Sequence, residues 1–414
     1  MSEYTSSCPQ LPTVIKQPRR IIAIGDIHGD RDVVINSLIL ANIIKKSDDK
    51  LDSDKNTVIL GDDSTRYKWI GGDTVVVQIG DQNDGCRPGK DGSCNHIKDD
   101  KPDDIPIFEF FNKLHRLAQK SITPGAVYSL LGNHEIMNAQ GNFKYTSNAN
   151  INQFGDEEGA KKAFAPGNKY ANLLGCTRQS VLIVGDFLFV HANLIPELLN
   201  DLGIKSNAYT ENRNKLKSLN KLVRNWLLNI VEKGKEFLTS KIIDDNKYSP
   251  FWNRILGQLP SYLDINDQQC QDNLQPILEA FAIKGMVIGH TPQMNPGEHN
   301  NGVNSTCGTY KGKNYIDQRL FRIDVGASKA FIGHREPEIL EILRNSDGTY
   351  KYSAIMANST KSSEDKDNEG NIVKVGGKYT LEHYDAYVPD DITSFSRLEA
   401  KLPYREMMKS RKRY

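Results

Sequence analysis

Short apolar runs that stop abruptly at a glycine and a polar residue recur along this chain. Residues 20–24 form one, ending in Gly25-Asp26, and Val33, Leu38, Leu40 and Ile44 follow at helical spacing, which predicts a strand, loop and helix unit. The device returns at 73–79, ending in Gly80-Asp81, and at 127–131, ending in Gly132-Asn133-His134. Runs at 180–184 and 187–190, joined by Gly185-Asp186, predict a hairpin that delivers His191. A further run, 285–288, delivers Gly289-His290.

The stretch 86–104, rich in Gly, Asp and Lys, predicts a long surface loop ahead of a helix at 107–117. Helical character at 212–231 and 274–281 marks 195–280 as a helical cap or lid inserted into a catalytic domain spanning 20–358. Segments 320–325, 339–343 and 350–355 predict strands that complete a second sheet. The tract 359–371 is too poor in apolar residues to be core, so 359–414 is expected to be a polar loop and C-terminal tail. No repeat is visible beyond the recurring strand and glycine.

At 414 residues, one elaborated domain accounts for the chain. Lysine and arginine (53) nearly cancel aspartate and glutamate (52), which excludes the overall field of a dedicated nucleic-acid or anionic-membrane binder. Any attraction for phosphate has to be local. No signal h-region and no run of about 18 apolar residues is present. The cysteines Cys8, Cys86, Cys94, Cys176, Cys270 and Cys307 are scattered without a CxxC pair. The expectation is a soluble protein with reduced thiols in the cytoplasm. The basic run Lys409-Ser410-Arg411-Lys412-Arg413 is expected to be simply solvated.

Five polar pieces stand at the ends of the apolar runs: Gly25-Asp26-Ile27-His28, Gly80-Asp81-Gln82-Asn83-Asp84, Gly132-Asn133-His134, Val190-His191 and Gly289-His290. A single Gly-Asp after a strand is usually a turn, and a lone histidine is usually structural. Five together, each at a strand end, point to converging ligands. Carboxylate and amide oxygens mixed with imidazoles suit two divalent or trivalent ions such as Mn, Fe or Zn. Asp26 and His28 can hold one, Asn133, His191 and His290 the other, and Asp81 can bridge. Such ions lie about 3.5–4 Å apart and lower the pKa of a shared water toward neutrality.

These blocks resemble the GDxHG, GDxxD, GNHE, His and GH signatures of the calcineurin-like metallophosphoesterase superfamily. The segments at 130–138, 141–145, 249–254, 289–293 and 322–326 are similar to blocks of its Shewanella-like branch of phosphoprotein phosphatases. The resemblance implies a four-layer α/β/β/α sandwich of two mixed sheets with an inserted helical cap. It also implies hydrolysis of phosphomonoesters, on phosphoprotein or a small phosphoester, by a hydroxide bridging two metal ions. Asp26, His28, Asp81, Asn133, His191 and His290 carry over as ligands. His134 carries over as the general acid and Asp84 as the group that fixes its tautomer.

The chain departs from the family pattern in several places. Gly85 and Cys86 follow Asp84 where the family has an arginine, so the nearest guanidinium is Arg87, and Leu131 replaces another common arginine. Lys144 stands where the branch usually has arginine, and lacks the bidentate fork. Arg254, Arg87 and Lys144 are the candidate phosphate clamps. Cys86, Cys94 and nearby His96 allow a redox switch or an accessory zinc site, with a plain loop as the simpler reading. The same metals and histidine would serve a phosphodiesterase or a nucleotide or dinucleotide pyrophosphohydrolase. A catalytically silent scaffold would need neither Asp84 nor His134.

Overall fold

The structure, a computed structural model, describes residues 8–9, 11–47, 56–62, 64–205, 208–261, 263–294, 302–311, 314–356 and 378–380. The tract at 359–371 and the basic C-terminal run lie outside them. Two main sheets of mixed direction face each other. The first runs in the order Lys378–Thr380, Tyr350–Met356, Glu338–Arg344, Arg20–Ile24, Val75–Gln78, Ala126–Leu130, Arg178–Gln179. The second runs Val14–Ile15, Val181–Val184, Phe187–Val190, Gly285–Ile288, Leu320–Arg322, Asn304–Thr306.

Arg20–Ile24, Val75–Gln78 and Ala126–Leu130 pair in parallel at the centre of the first sheet. Parallel strands covered on both faces read as continuous apolar runs rather than alternating ones, and every residue of Val75–Gln78 is buried. The second sheet sorts its side chains by alternation. Leu182, Val184, Phe187, Phe189, Val287 and Phe321 share one core with the first sheet and with apolar residues of the helices Arg31–Leu40 and Asp104–Gln119. Val181, Ile183, Leu188, Val190, Met286 and Ile288 share another core with residues of the helices Lys169–Thr177, Tyr209–Leu227 and Gln275–Phe281. The result is helix, sheet, sheet, helix.

Several expectations change. The strands Glu338–Arg344 and Tyr350–Met356 join the first sheet, not the second. Ile339 pairs antiparallel with Ile24, and Arg20 makes an ion pair with Glu341 at 2.9 Å. An apolar run carries no label for the sheet it will extend. Ile44 leaves the first helix, which ends at Leu40, and pairs with Trp69 in a short ribbon. The region expected as a cap supplies helices that pack on the second sheet and on Lys169–Thr177.

The cysteines are also corrected. Cys8 bonds to Cys176, Cys86 to Cys94 and Cys270 to Cys307, and none is free. Their sequence separations of 168, 8 and 37 residues gave no framework to recognise, because pairing is decided by proximity in space. The pairs remove the basis for the reduced, cytoplasmic placement, since disulfides persist in oxidising compartments. Among the described residues no helix is long and apolar enough to cross a membrane.

Phe189 is completely buried in the core between the sheets. Phe189→Ala is expected to lower the unfolding free energy by about 3–5 kcal/mol, as large-to-small core changes do. Urea unfolding of the metal-free protein measures it, and a loss below about 1 kcal/mol would contradict a filled inter-sheet core.

Candidate active site

The parallel strands of both sheets end at a common edge, and each end turns sharply. Asp26 and His28 follow Arg20–Ile24, Asp81 and Asp84 follow Val75–Gln78, Asn133 and His134 follow Ala126–Leu130, His191 follows Phe187–Val190, and His290 follows Gly285–Ile288. Four of them, His28 (φ 48°), Asp81 (φ 52°), Asp84 (φ 71°) and His290 (φ 64°), adopt the left-handed backbone that non-glycine residues avoid. Such strain is held in place by surrounding structure and collects at functional sites. Two glycines let the carboxylates in. A Cβ on Gly132 would stand 2.1 Å from Asp81 Oδ1, and one on Gly289 2.3 Å from Asp26 Oδ1.

All six expected ligands meet and are buried. Asp81 Oδ2 lies 3.3 Å from His191 Nε2, 3.8 Å from His28 Nε2 and 3.9 Å from His134 Nε2. Asp26 Oδ2 lies 4.0 Å from His28 Nε2, and Asp26 also accepts the His290 amide. His191 Nδ1–H donates to the Ile79 carbonyl at 3.0 Å, which leaves the Nε2 lone pair facing Asn133 Oδ1 at 3.0 Å. Two acceptors at that distance need a proton or a cation between them. Two sets of side chains, His28, Asp81 and His134, and Asp81, His191 and His290, are close enough to hold a metal ion.

The electrostatics agree with that donor set at His28 and His290, whereas at His191 burial is outweighed by Asp81, which holds the imidazole above its ordinary value. Burial, then the charges of Arg87 and His134, hold His28 well below the ordinary imidazole value; burial, His191 and Arg254 do the same to His290. Both rings are therefore neutral near pH 7, as ligands must be. His290 Nε2 lies 3.0 Å from the Trp252 carbonyl. The same Nε2 faces the Arg254 Nε–H at 3.0 Å, while Nδ1 is buried with no hydrogen-bond partner. Burial, then the crowding of Asp324 and Asp81, pushes Asp26 well above the usual carboxylate range. Burial also acts to raise Asp81, but His191, His134 and His28 outweigh it and hold this carboxyl low. A buried cation would relieve the crowding around Asp26.

His134 Nδ1–H donates to Asp84 Oδ2 at 2.8 Å, so the ring presents Nε2 to the cluster. Asp84 is itself fixed by Thr146 Oγ1–H at 2.6 Å and Asn138 Nδ2–H at 3.2 Å, both on Oδ1. Arg87 Nη2 lies 3.1 Å from His28 Nε2, and its guanidinium covers the Phe331 ring at 4.3 Å and the Tyr145 ring at 5.3 Å. Arg254 is exposed, with Nε 3.0 Å from His290 Nε2. Lys144 is exposed over Tyr145 at 5.2 Å, and that ring in turn packs 5.2 Å from His134. Arg87 and Arg254 thus touch His28 and His290, whereas Lys144 lies over the Tyr145 ring, which packs on His134. His96 Nδ1 is near Gly89 in the loop, and the disulfide leaves Cys86 and Cys94 without thiols for zinc.

Sequence reasoning gave no role to Glu135, Thr146, Asn138, Phe331 or Asp324. Glu135 accepts the amides of Asp81 (3.0 Å), Gln82 (2.6 Å) and Gly132 (2.6 Å). Its place three residues after Gly132 is the position from which a glutamate reaches back to a helix N-terminus, a signal open to recognition. Asp324 is fully buried, with its carboxyl pushed up to about 6 by burial and then by Asp81, while its Oδ1 accepts the Gly326 amide. Nothing local in the sequence distinguishes it from a turn residue.

A family model described as calcineurin-like phosphoesterase matches residues 19–294. An uncharacterized protein of Acanthamoeba polyphaga mimivirus is 38% identical over 255 residues, covering 58% of this chain and 96% of that protein. Shewanella-like protein phosphatase 2 of Arabidopsis thaliana is 25% identical over 378 residues, covering 81% of this chain and 78% of its own. The crystal structure of a cold-active protein-tyrosine phosphatase from a psychrophilic Shewanella superposes with a TM-score of 0.51 at 19% identity, covering 85% of this chain and 84% of that one. At that identity the superposition speaks for the fold.

Glu135→Ala would leave three buried amides without an acceptor, each costing about 1–3 kcal/mol. The expected loss is at least about 3 kcal/mol in chemical unfolding, with Glu135→Gln, which keeps one acceptor oxygen, falling between. Equal losses for the two variants would show that the carboxylate is not the anchor.

Proposed function

The chain belongs to the calcineurin-like phosphoesterase family, and within it we propose a metal-dependent phosphomonoesterase of the Shewanella-like protein phosphatase type, acting on phosphoprotein. The observation that carries this reading is the His134–Asp84 pair. It aims Nε2 of a buried imidazole at the same carboxylate, Asp81, that the ligand histidines surround. An alkyl phosphoester releases an alkoxide that needs a proton, whereas a pyrophosphate bond leaves as a phosphate anion that needs it far less, so the pair favours phosphoester over pyrophosphate cleavage.

Asp26 and His28 would hold one ion, Asn133, His191 and His290 a second, and Asp81 would reach both. When bound, two such ions, Mn, Fe or Zn by donor chemistry, supply Lewis acidity to the phosphoryl oxygens and lower the pKa of water between them. His134 gives its Nε2 proton to the leaving oxygen. Asp84 keeps the Nδ1 proton in place and stabilises the ring when it is charged. Arg87 and Arg254, each beside a ligand histidine, clamp phosphoryl oxygens with their guanidinium forks. Lys144, exposed over the Tyr145 ring, meets the part of a substrate beyond the phosphate.

Three measurements test this reading. After chelation and restoration of Mn, phosphopeptides are expected to turn over faster than a diester or a dinucleotide; the reverse order would replace the monoesterase assignment. His134→Asn should keep its metal content and lose about 10²–10⁴-fold in kcat toward an alkyl phosphomonoester, so unchanged turnover removes His134 as the acid. Asp81→Asn should lose both ions, and elemental analysis that still finds two per chain would refute the shared ligand.

A further inference from the structure

The disulfide between Cys86 and Cys94 closes a short loop beside the site, and everything it touches leads to the His134–Asp84 pair or to Arg87. Cys86 is fully buried and donates its amide to the Tyr145 carbonyl at 3.0 Å. Cys94 Sγ lies 3.6 Å from the carbonyl of the next residue, Thr146. The two cysteines therefore grip consecutive residues of one neighbouring segment. Thr146 holds Asp84 through its hydroxyl, and the Tyr145 ring packs 5.2 Å from the His134 ring and 5.3 Å from the Arg87 guanidinium.

Arg87 follows Cys86 directly, and its Nη1 donates to the Cys86 carbonyl at 2.8 Å and the Asp84 carbonyl at 3.3 Å. This leaves Nη2 beside His28. An arginine two residues further from Asp84 than the family pattern places it sits on a longer and freer arm. The loop beyond it is exposed over residues 89–92 and closes on itself, the Gly89 amide donating to the Ser93 carbonyl at 2.9 Å. The covalent tie from Cys86 to Cys94 joins the far end of that loop to the residue before Arg87.

We propose that the Cys86–Cys94 disulfide is a positioning device for the phosphate clamp: it holds Arg87 against the ligand pocket, so that affinity for the phosphoryl group depends on the oxidation state of this one pair. The proposal rests on the phosphomonoesterase reading of the site. Reduction by a dithiol follows ordinary exchange. A thiolate attacks one sulfur, a mixed disulfide forms, and the dithiol closes into its own disulfide. Two electrons and two protons pass to the protein, the S–S bond breaks, and Cys86 and Cys94 end as thiols. Arg87 then sits in an open loop and keeps its place only through its carbonyl and ring contacts.

The test uses the full chain with Mn restored, an aryl phosphate as substrate and inorganic phosphate as competing ligand. Four variants are compared: Arg87→Ala, Cys86→Ser with Cys94→Ser, all three together, and Cys270→Ser with Cys307→Ser as the control for loss of a disulfide in general. Removing the Cys86–Cys94 pair is expected to raise KM and the phosphate inhibition constant about tenfold, the size of one charge-assisted contact, with kcat within about twofold. The triple variant should match Arg87→Ala alone, and the control should match the native chain. Dithiothreitol should reproduce the rise in the native chain, reversibly on reoxidation, and have no effect on the Cys86/Cys94 variant. Where the serine variant fails to fold, Arg87→Ala takes its place in this arm, and its KM should not respond to reduction. If Arg87→Ala raises KM but neither the serine pair nor reduction does, the tether is wrong and the clamp stands. Effects that add in the triple variant would reduce the disulfide to a staple of the fold and overturn the proposal. If Arg87→Ala leaves KM unchanged, the clamp falls and the tether with it, whereas absence of turnover on every phosphomonoester would defeat the functional reading first.

Discussion

The buried carboxylate of Asp81 is the constraint around which this structure is organised. It sits almost free of solvent with three imidazoles within 4.0 Å and also accepts the His134 amide. A carboxylate in such a place is unstable unless positive charge or hydrogen-bond donors surround it. Its neighbours meet that need in part, and their pull outweighs the penalty of burial. Asp26 is relieved by the His290 amide, but burial and the crowding of other carboxylates outweigh it and drive this carboxyl the other way. Two carboxyls of one site, pushed apart by their surroundings, mark a pocket shaped for cations.

Holding these groups together requires a rigid frame, and the frame is visible one shell out. Glu135 gathers three amides from two different strand ends, so the turn carrying Asp81 and the helix carrying Asn133 and His134 move as one piece. Two glycines allow the approach, and four site residues accept left-handed backbone to turn their side chains inward. The parallel strands behind them are buried on both faces and give these strained turns a firm base. The strain and the crowding belong to the same design, because neither would persist on a loosely packed edge.

Arg87 shows how a departure in sequence can be absorbed in space. The family's arginine is missing after Asp84, yet a guanidinium two residues further on reaches His28 and packs on the rings of Phe331 and Tyr145. Phe331 comes from a loop more than two hundred residues away in the chain. Lys144 lies over the same Tyr145 ring, 5.2 Å from its centre.

What the sequence by itself determined were the strand ends and the residues they carry. Apolar period and a following glycine are local signals, so the five pieces bearing Asp26, His28, Asp81, Asp84, Asn133, His134, His191 and His290 could be read one at a time. Only the tertiary structure decided which sheet Glu338–Arg344 extends, how six scattered cysteines pair, that Glu135 and Thr146 support the site, and where Arg87 ends up. Each of these rests on contacts between segments far apart in the chain, such as Arg20 with Glu341, 321 residues away. Periodicity reports the face a residue turns inward, and it carries no record of what that face will meet.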